Sequence, residues 1–357
     1  MFVYASISIC LFLSLVFLTS DKDSLPRVIL GIWLLCSAFY NSGVYLGSSN
    51  LQNQYPSIIV SGFSIPLLFG PFLFWYVKFQ TSAAKFTKSE LWHLLPFVLV
   101  SLSYISYFFK PFEERANSLI VSNEGFLFRD LVRSTCIYLS VPLYFIWSAV
   151  KIFRFQRNLK SNFSNSEKIH FNWILFLMAG ILVIWTVMVF SNNEELITNA
   201  LAVFLILLGY FGITQVDVFP KRASENILVE EYKPKYFNSG LEISEIDKLH
   251  QSLIQLLQTE KPYLDPELTL QQLASMIGAQ VHHLSQVINE KEQMNFYDLI
   301  NGWRIKEFIK EAKNEKNKNY TLLAIAFDCG FNSKASFNRN FKKFTGKTPS
   351  DFLSQSN

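Results

Sequence analysis

The sequence predicts an all-α protein in two parts, a membrane region of seven helices followed by a soluble domain of short helices. Half of the 357 residues are hydrophobic and only 17% are charged, against about 25% charged in an ordinary soluble domain. Charge is concentrated at one end, because residues 216–357 carry 36 of the 60 charged side chains. This composition excludes a disordered chain, which would combine low hydrophobicity with high net charge.

Seven apolar runs in the first 215 residues are about as long as a helix needs to be to cross a bilayer. The first run lacks the basic start and small-residue cleavage site of a signal peptide, so we interpret it as a span. No ionisable side chain stands at mid-depth in a run, which argues against a proton or ion pathway. The runs lie at roughly 2–18, 25–47, 57–79, 91–109, 130–153, 171–190 and 196–215.

Short loops predict the orientation of these spans, because cytoplasmic loops carry an excess of Lys and Arg. The loop after the fifth span holds five basic residues between 151 and 168, and the uncharged segment 48–56 belongs on the opposite side. Seven spans then place residues 216–357 in the cytoplasm. Three polar side chains toward the outer ends, Asn41, Tyr45 and Arg133, are candidates for sensing a small ligand. Interfacial anchoring and hydrogen bonds between helices are the alternative explanation for them.

Residues 216–261 are interpreted as a juxtamembrane linker followed by a helix. The segment from Pro220 to Gly240 is charged and lacks periodicity, whereas apolar residues recur at helical spacing from Ile243 to Thr259. The pattern suits either a short dimerising coiled coil, which would make this helix the coupling element between signal and domain, or a helix packed on the next domain. Its apolar positions are Ile246, Leu249, Leu253, Leu256 and Leu257.

Residues 262–357 contain two helix-turn-helix patterns on either side of a long helix at about 295–313. In the first, Thr269 and Gln272 form a capping box and Gly278 ends the helix. A second helix follows from about Val281 to Lys291. The later pattern has its stop at Gly330 and a cap at Ser333. In such a unit the second helix enters the major groove of DNA.

The last of these helices carries charge of one sign. Residues 333–347 contain five basic side chains and no acidic one, opposite an aromatic stripe of Phe337, Phe341 and Phe344. A basic face of this kind is typical of a helix seated between phosphates. The first helix-turn-helix pattern is less favourable for contact with phosphates, because residues 216–290 hold 6 basic and 11 acidic side chains.

The stretch from Ile325 to Ser350, IAFDCGFNSKASFNRNFKKFTGKTPS, resembles the signature of the AraC/XylS family of bacterial transcription regulators, and Arg304 matches the arginine expected on its linker helix. Ahead of it, GPFLFWYV at 70–77 and WHLLPF at 92–97 resemble the membrane-anchored branch of these regulators. The resemblance implies that base contacts fall on His282, Ser285 and Gln286 in the first unit and on Lys334, Ala335, Asn338 and Arg339 in the second. Phosphate contacts are expected from Lys342, Lys343 and Lys347.

The sequence departs from the family pattern at three positions. Gln280 stands where the first recognition helix needs a cap, Gly302 lies inside the linker helix at a cost of about 1 kcal/mol relative to Ala, and Phe308 replaces a usual Ala. We therefore expect DNA contact from the second unit more than base reading by the first.

These observations predict a sequence-specific DNA-binding transcription regulator in a bacterial cytoplasmic membrane, with several spans and a cytoplasmic carboxy-terminal domain. The expected partners are double-stranded promoter DNA, membrane lipid, a second copy in a homodimer, the transcription machinery and a small-molecule signal. Without a nucleotide loop, a nucleophile–base set or a metal constellation, we expect no enzyme activity, no cofactor and no metal. The alternative is a membrane receptor or transporter-like protein whose helical tail binds another protein; salt-dependent DNA binding distinguishes the two.

Overall fold

The computed structural model describes residues 2–19, 24–49, 51–82, 84–120, 124–165, 172–191, 194–215 and 243–354. Across these ranges the regular structure is helical, and one isolated β-bridge joins Phe163 to Thr269. The chain divides into two compact units. The first comprises Met1–Phe153 with His170–Val229, and the second comprises Arg154–Ile169 with Glu230–Asn357.

The first unit is built from ten helices within the described ranges, the eighth of which ends in the second unit. They are α1 (Phe2–Thr19), α2 (Leu25–Gly47), α3 (Pro56–Gly62), α4 (Phe69–Gln80), α5 (Leu95–Ser103), α6 (Ile105–Phe108), α7 (Phe112–Ile120), α8 (Glu124–Asn162), α9 (Asn172–Phe190) and α10 (Glu194–Gln215).

Four helical segments of the described chain are long and apolar enough to cross a membrane: Leu25–Gly47, Pro56–Gln80, Leu127–Asn162 and Trp173–Phe190. Val3–Thr19 and Asn199–Leu208 are apolar but shorter. The span predicted at 91–109 is wrong as a single uninterrupted helix. A 3₁₀ segment, Lys88–Leu94, precedes α5, and Tyr104 separates α5 from α6. Pro96 stands in the first turn of α5, where its missing N–H costs nothing. Seven spans therefore stay a prediction.

Close helix contacts and one buried polar pair organise the core of the first unit. A methyl group on Gly31 of α2 would lie 2.8 Å from the Leu18 side chain, so α1 and α2 approach closely. The Ser14 hydroxyl donates to the Gly31 carbonyl at 2.8 Å. Deeper in the cluster, the Trp173 indole N–H donates to the Tyr76 hydroxyl at 2.7 Å. Both of these donors, the Ser14 hydroxyl and the Trp173 indole, thus have the partner that an apolar surrounding requires.

The second unit begins, in the described carboxy-terminal residues, with α11 (Ile243–Thr259). Leu253, Leu256 and Leu257 are buried in one cluster with the first helix-turn-helix unit. Two polar contacts join α11 to the end of the first recognition helix: an ion pair of Asp247 with Lys291 at 2.5 Å, and a hydrogen bond between His250 Nε2 and the Glu292 carboxylate at 2.6 Å. The sequence left two roles open for this helix, a dimerising coiled coil or packing on the next domain. In the structure, α11 packs on the domain.

Six further helices complete the described part of the second unit. They are α12 (Leu270–Met276), α13 (Val281–Lys291), α14 (Phe296–Ala312), α15 (Leu322–Asp328), α16 (Lys334–Thr345) and α17 (Pro349–Ser354), with a 3₁₀ turn at Pro262–Leu264. The predicted capping box is present, since Thr269 and Gln272 exchange both bonds. Gly278 and Gly330 have φ of 66° and 90°, the left-handed conformation that favours glycine at a helix end.

A second aromatic core lies under α16, and it changes one sequence prediction. Phe308 is buried with Phe337 and Phe341, at ring-centroid distances of 4.6 and 5.6 Å. Phe344 is not part of this core, because its side chain is 39% exposed. Its ring lies beside α14, where a methyl group on Gly302 would come within 3.2 Å of it. The unusual glycine in the linker helix is thus explained by the place that Phe344 takes.

Candidate nucleic-acid interface

Helix α16 presents a basic face that its own local structure fixes. The Ser333 hydroxyl caps the helix by accepting from the Ser336 amide at 3.1 Å, and two buried phenylalanines anchor the opposite face. Seven of the predicted DNA-contact residues are exposed on α16 or just after it: Lys334, Ala335, Asn338, Arg339, Lys342, Lys343 and Lys347. All seven exposed side chains thus lie within residues 334–347, on one helix and the two residues that follow it.

Two side chains of α14 hold part of this face. The Tyr297 hydroxyl accepts from Arg339 at 3.3 Å and from Asn340 at 2.8 Å. Burial raises the pKa of Tyr297, while the hydrogen bond from Asn340 lowers it. Lys343 forms an ion pair with Asp298 at 2.6 Å. Sequence reasoning missed both residues, although a tyrosine that follows a core phenylalanine in the first turn of α14 is a recognisable signal, because a buried tyrosine hydroxyl needs a polar partner.

The first recognition helix, α13, is less open. His282 is exposed and Gln286 is half-buried, its side-chain amide donating to Glu290 at 2.9 Å. Ser285 is only 6% exposed. The predicted departure at the cap is present, because the Gln280 side chain makes no capping hydrogen bond. His283 packs against the His282 ring at 4.1 Å, and burial followed by the charge of His282 lowers the pKa of His283.

Arg304 lies at the joint between the two helix-turn-helix units. It is 1% exposed, and its guanidinium donates to the carbonyls of Tyr263 at 2.7 Å and Asp265 at 2.8 Å. Burial lowers the pKa of Arg304 to about 10, so the group stays charged at neutral pH. Gly330, in the second helix-turn-helix unit, lies so close that a methyl group on it would be 2.9 Å from the Arg304 Nε and 2.5 Å from the Tyr263 carbonyl.

One carboxylate, Glu307 of α14, bonds to residues at or next to those that Arg304 contacts. Glu307 accepts from Lys261 at 2.6 Å and from the Tyr263 hydroxyl at 3.0 Å. Burial alone would raise the pKa of Glu307, but these hydrogen bonds and the neighbouring lysines outweigh it, so the pKa is lowered. Two helix-turn-helix units thus lie on either side of α14, with a charged joint between them. This arrangement is typical of a pair of recognition helices that contact one DNA duplex.

Comparison with known protein families agrees with this geometry. A family profile described as a helix-turn-helix domain matches residues 273–355, from within α12 to just past α17. The carboxy-terminal region is a helix-turn-helix domain of the AraC type. Domains of this class bind DNA.

Curated relatives point the same way for this AraC-type domain. The chain is 32% identical over 124 residues to uncharacterized HTH-type transcriptional regulators of Staphylococcus aureus strains COL, MSSA476 and N315. The matched stretch is 34% of this chain and spans 15% of the length of each of these relatives. No solved structure matches the chain.

The three predicted sensing residues belong to the first compact unit. Asn41 is buried on α2, and Tyr45 pairs through its hydroxyl with Tyr4, the ring centroids being 4.5 Å apart. Arg133 forms an ion pair with Asp130, and its guanidinium stands 4.9 Å from the centre of the Phe63 ring. Among the residues the structure describes, no hydrogen bond joins Arg133 to Asn41 or Tyr45.

Proposed function

We propose that this protein is a membrane-anchored transcription regulator that binds promoter DNA sequence-specifically through its AraC-type domain. The observation that carries the proposal is the exposed basic face of α16, in a helix-turn-helix domain whose relatives are named transcriptional regulators. Five cations without an intervening acid give a strong, sequence-independent attraction to phosphate.

Residue types and positions suggest a division of labour on this face. Arg339 and Asn338 are exposed in the middle of α16, where side chains can reach base edges; Arg can bridge the O6 and N7 of guanine. Lys342 lies in the last turn of α16 and Lys347 just after the helix, and both suit phosphate contacts, which fix the position of the protein without reading sequence. Lys343 joins them once DNA competes for it with Asp298. On α13, His282 and Gln286 are the accessible base-contact candidates, and Ser285 would need to become more exposed to take part.

The anchoring part of the proposal rests on the apolar helices of the first unit. Seven spans in a bacterial cytoplasmic membrane would leave the AraC-type domain in the cytoplasm, beside DNA and the transcription machinery. A small-molecule signal at the outer ends would then reach the promoter through the spans, and two copies binding adjacent half-sites would gain effective concentration.

A topology measurement tests the anchoring. A reporter fused near Asn162 should report a cytoplasmic location because of the five basic residues between 151 and 168, and one near Asn50 an external location. Finding both reporters on the same side would refute the seven-span arrangement.

DNA binding is tested with the full-length protein in lipid nanodiscs. Fragments of bacterial genomic DNA that the protein retains are sequenced, and fluorescence anisotropy then compares an enriched duplex with a scrambled one across a salt series. We expect the enriched duplex to bind roughly a thousandfold more tightly, with affinity falling as salt rises. Lys342→Ala should weaken both duplexes, whereas Lys313→Ala, which changes an exposed lysine outside α16, should not. Equal binding of enriched and scrambled duplexes would contradict sequence-specific regulation.

A further inference from the structure

A short peptide that follows α8 lies inside the second compact unit, where it contacts the helix-turn-helix domain. That unit includes Arg154–Ile169 as well as the carboxy-terminal residues. Phe163 forms an antiparallel β-bridge with Thr269, the first cap of the domain. The next residue, Ser164, is 2% exposed. A serine so fully buried beyond the end of a long helix needs partners for both its hydroxyl and its backbone.

All of those partners come from the helix-turn-helix domain. The Ser164 hydroxyl and amide both donate to the Leu268 carbonyl, at 2.7 and 3.3 Å. Its carbonyl accepts from Asn301 at 3.1 Å and from Arg304 at 3.2 Å, and its hydroxyl oxygen accepts a further bond from Arg304 at 3.0 Å. Ser164 therefore takes part in five hydrogen bonds, with Leu268 at the start of the first helix-turn-helix unit and with Asn301 and Arg304 of α14.

The position of Arg304 makes these bonds consequential. Its guanidinium is buried and charged, and a buried charge needs hydrogen-bond partners for its donors. Tyr263 and Asp265, just before the first helix-turn-helix unit, supply two acceptors. Gly330 of the second helix-turn-helix unit lies close to the guanidinium. Ser164 supplies two of the remaining acceptors. Ser164 thus completes the hydrogen-bond shell of the group that joins the two helix-turn-helix units.

We propose that residues 163–165 are a built-in docking peptide on which DNA binding depends. With the peptide in place, Arg304 is fully bonded and the two recognition helices keep a fixed relation to one another. With the peptide withdrawn, the guanidinium loses two acceptors and that relation loosens. Because the peptide directly follows α8, a displacement of the end of α8 reaches Arg304 without passing through residues 216–242. This dependence rests on the proposed DNA-binding function, whereas the docking itself does not.

Docking is tested by a disulfide in the full-length protein in nanodiscs. Phe163→Cys with Thr269→Cys places two thiols on paired residues of the bridge, and peptide mass spectrometry identifies the product despite the native cysteines. The control pair, Arg154→Cys with Thr269→Cys, starts nine residues earlier, about 13 Å along the helix. We expect the 163–269 pair to oxidise at least tenfold faster than the control. Equal rates would overturn the docking, whether or not the protein binds DNA.

Dependence of DNA binding on docking is tested with Ser164→Ala, which removes the hydroxyl. The control is Ser161→Ala, which removes a hydroxyl that donates to the Arg157 carbonyl of its own helix. Affinity for an enriched duplex should fall roughly tenfold for Ser164→Ala, since a charged donor loses its acceptor. It should stay within twofold for Ser161→Ala. Binding is compared at a temperature at which all variants retain wild-type helical circular dichroism.

The outcomes separate the two claims. Unchanged affinity of Ser164→Ala, with the wild type binding the enriched duplex, overturns the dependence and leaves the proposed function standing. If the wild type itself shows no preference for the enriched duplex, the proposed function and the dependence both fail, and the disulfide rates still decide whether the peptide docks.

Discussion

Gly330 offers the sharpest test of the joint between the two helix-turn-helix units, because a single methyl group there meets three groups at once. Its φ is 90°, and an added Cβ would lie 2.5 Å from the Tyr263 carbonyl, 2.9 Å from the Leu264 carbonyl and 2.9 Å from the Arg304 Nε. Contacts below 3.0 Å with backbone cannot be relieved by turning a side chain. The second helix-turn-helix unit must therefore move away from the 3₁₀ turn Pro262–Leu264, which carries those two carbonyls.

Two terms set the expected loss of stability for Gly330→Ala. The left-handed conformation costs a residue with a Cβ about 1–2 kcal/mol, and overpacking of a tight contact adds about 1–3 kcal/mol. Their sum is about 2–5 kcal/mol. Gly278 is a matched control, because its φ is 66° and an added methyl group meets nothing within 4 Å. Gly278→Ala should therefore show only the conformational term.

Native-state hydrogen exchange read by mass spectrometry measures this difference inside the full-length protein, since it gives local opening free energies for separate segments. The α14 peptides should open more easily by about 2–5 kcal/mol in Gly330→Ala and by about 1–2 kcal/mol in Gly278→Ala. Specific DNA affinity should fall with the first change far more than with the second. Equal effects of the two substitutions would show that the close approach at Gly330 does not hold the units together.

Three further predictions concern the DNA interface and the joint at Arg304. Arg339→Ala should relax sequence preference by about 1–3 kcal/mol at one base position, and Lys342→Ala should weaken all duplexes alike and reduce the salt slope by about one ion; equal weakening of specific and scrambled duplexes by Arg339→Ala would reassign Arg339 to phosphate. Asp298→Asn should release Lys343 and raise low-salt affinity severalfold with a steeper salt dependence, and an unchanged salt slope would show that the ion pair does not compete with DNA. For Glu307, whose folded pKa is lowered, the folded state binds fewer protons, so its contribution to stability is full above the unfolded value near 4.3 and is lost as pH falls below it. Glu307→Gln should flatten the acid limb of a stability–pH curve, and an unchanged limb would remove that role.

Local sequence signals predicted the helix-turn-helix domain well. The capping box at Thr269, the glycine stops at 278 and 330 and the Ser333 cap are all present. Each depends on neighbours in the chain, and such signals are read directly from residue type and spacing. The exposed basic face of α16 was predictable for the same reason, since its acid-free run of cations faces away from a regular aromatic stripe.

Contacts between distant parts of the chain could not be predicted in the same way. Spacing placed Phe344 on the stripe with Phe337 and Phe341, yet Phe344 lies beside Gly302 on another helix. Apolar composition suggested one helix at 91–109, where the backbone breaks at Tyr104. Nothing in the sequence marks Ser164, because its partners lie more than 100 residues away.

Regulation is best sought at the joint rather than in the leucine-patterned helix. Leu253 and Leu257 of α11 are fully buried with the first helix-turn-helix unit. Helix α11 is therefore part of the core of this domain, although its leucine pattern also suited a coupling element between the signal and the domain. The first helix-turn-helix unit is also poor in cations, so we expect α13 to gain little from phosphate by itself and to depend on α16 for its approach to DNA. Such a dependence works only while the two helices keep a fixed spacing. The groups that set that spacing meet at Arg304, which contacts Tyr263 of the first unit, approaches Gly330 of the second and bonds to the peptide that follows α8.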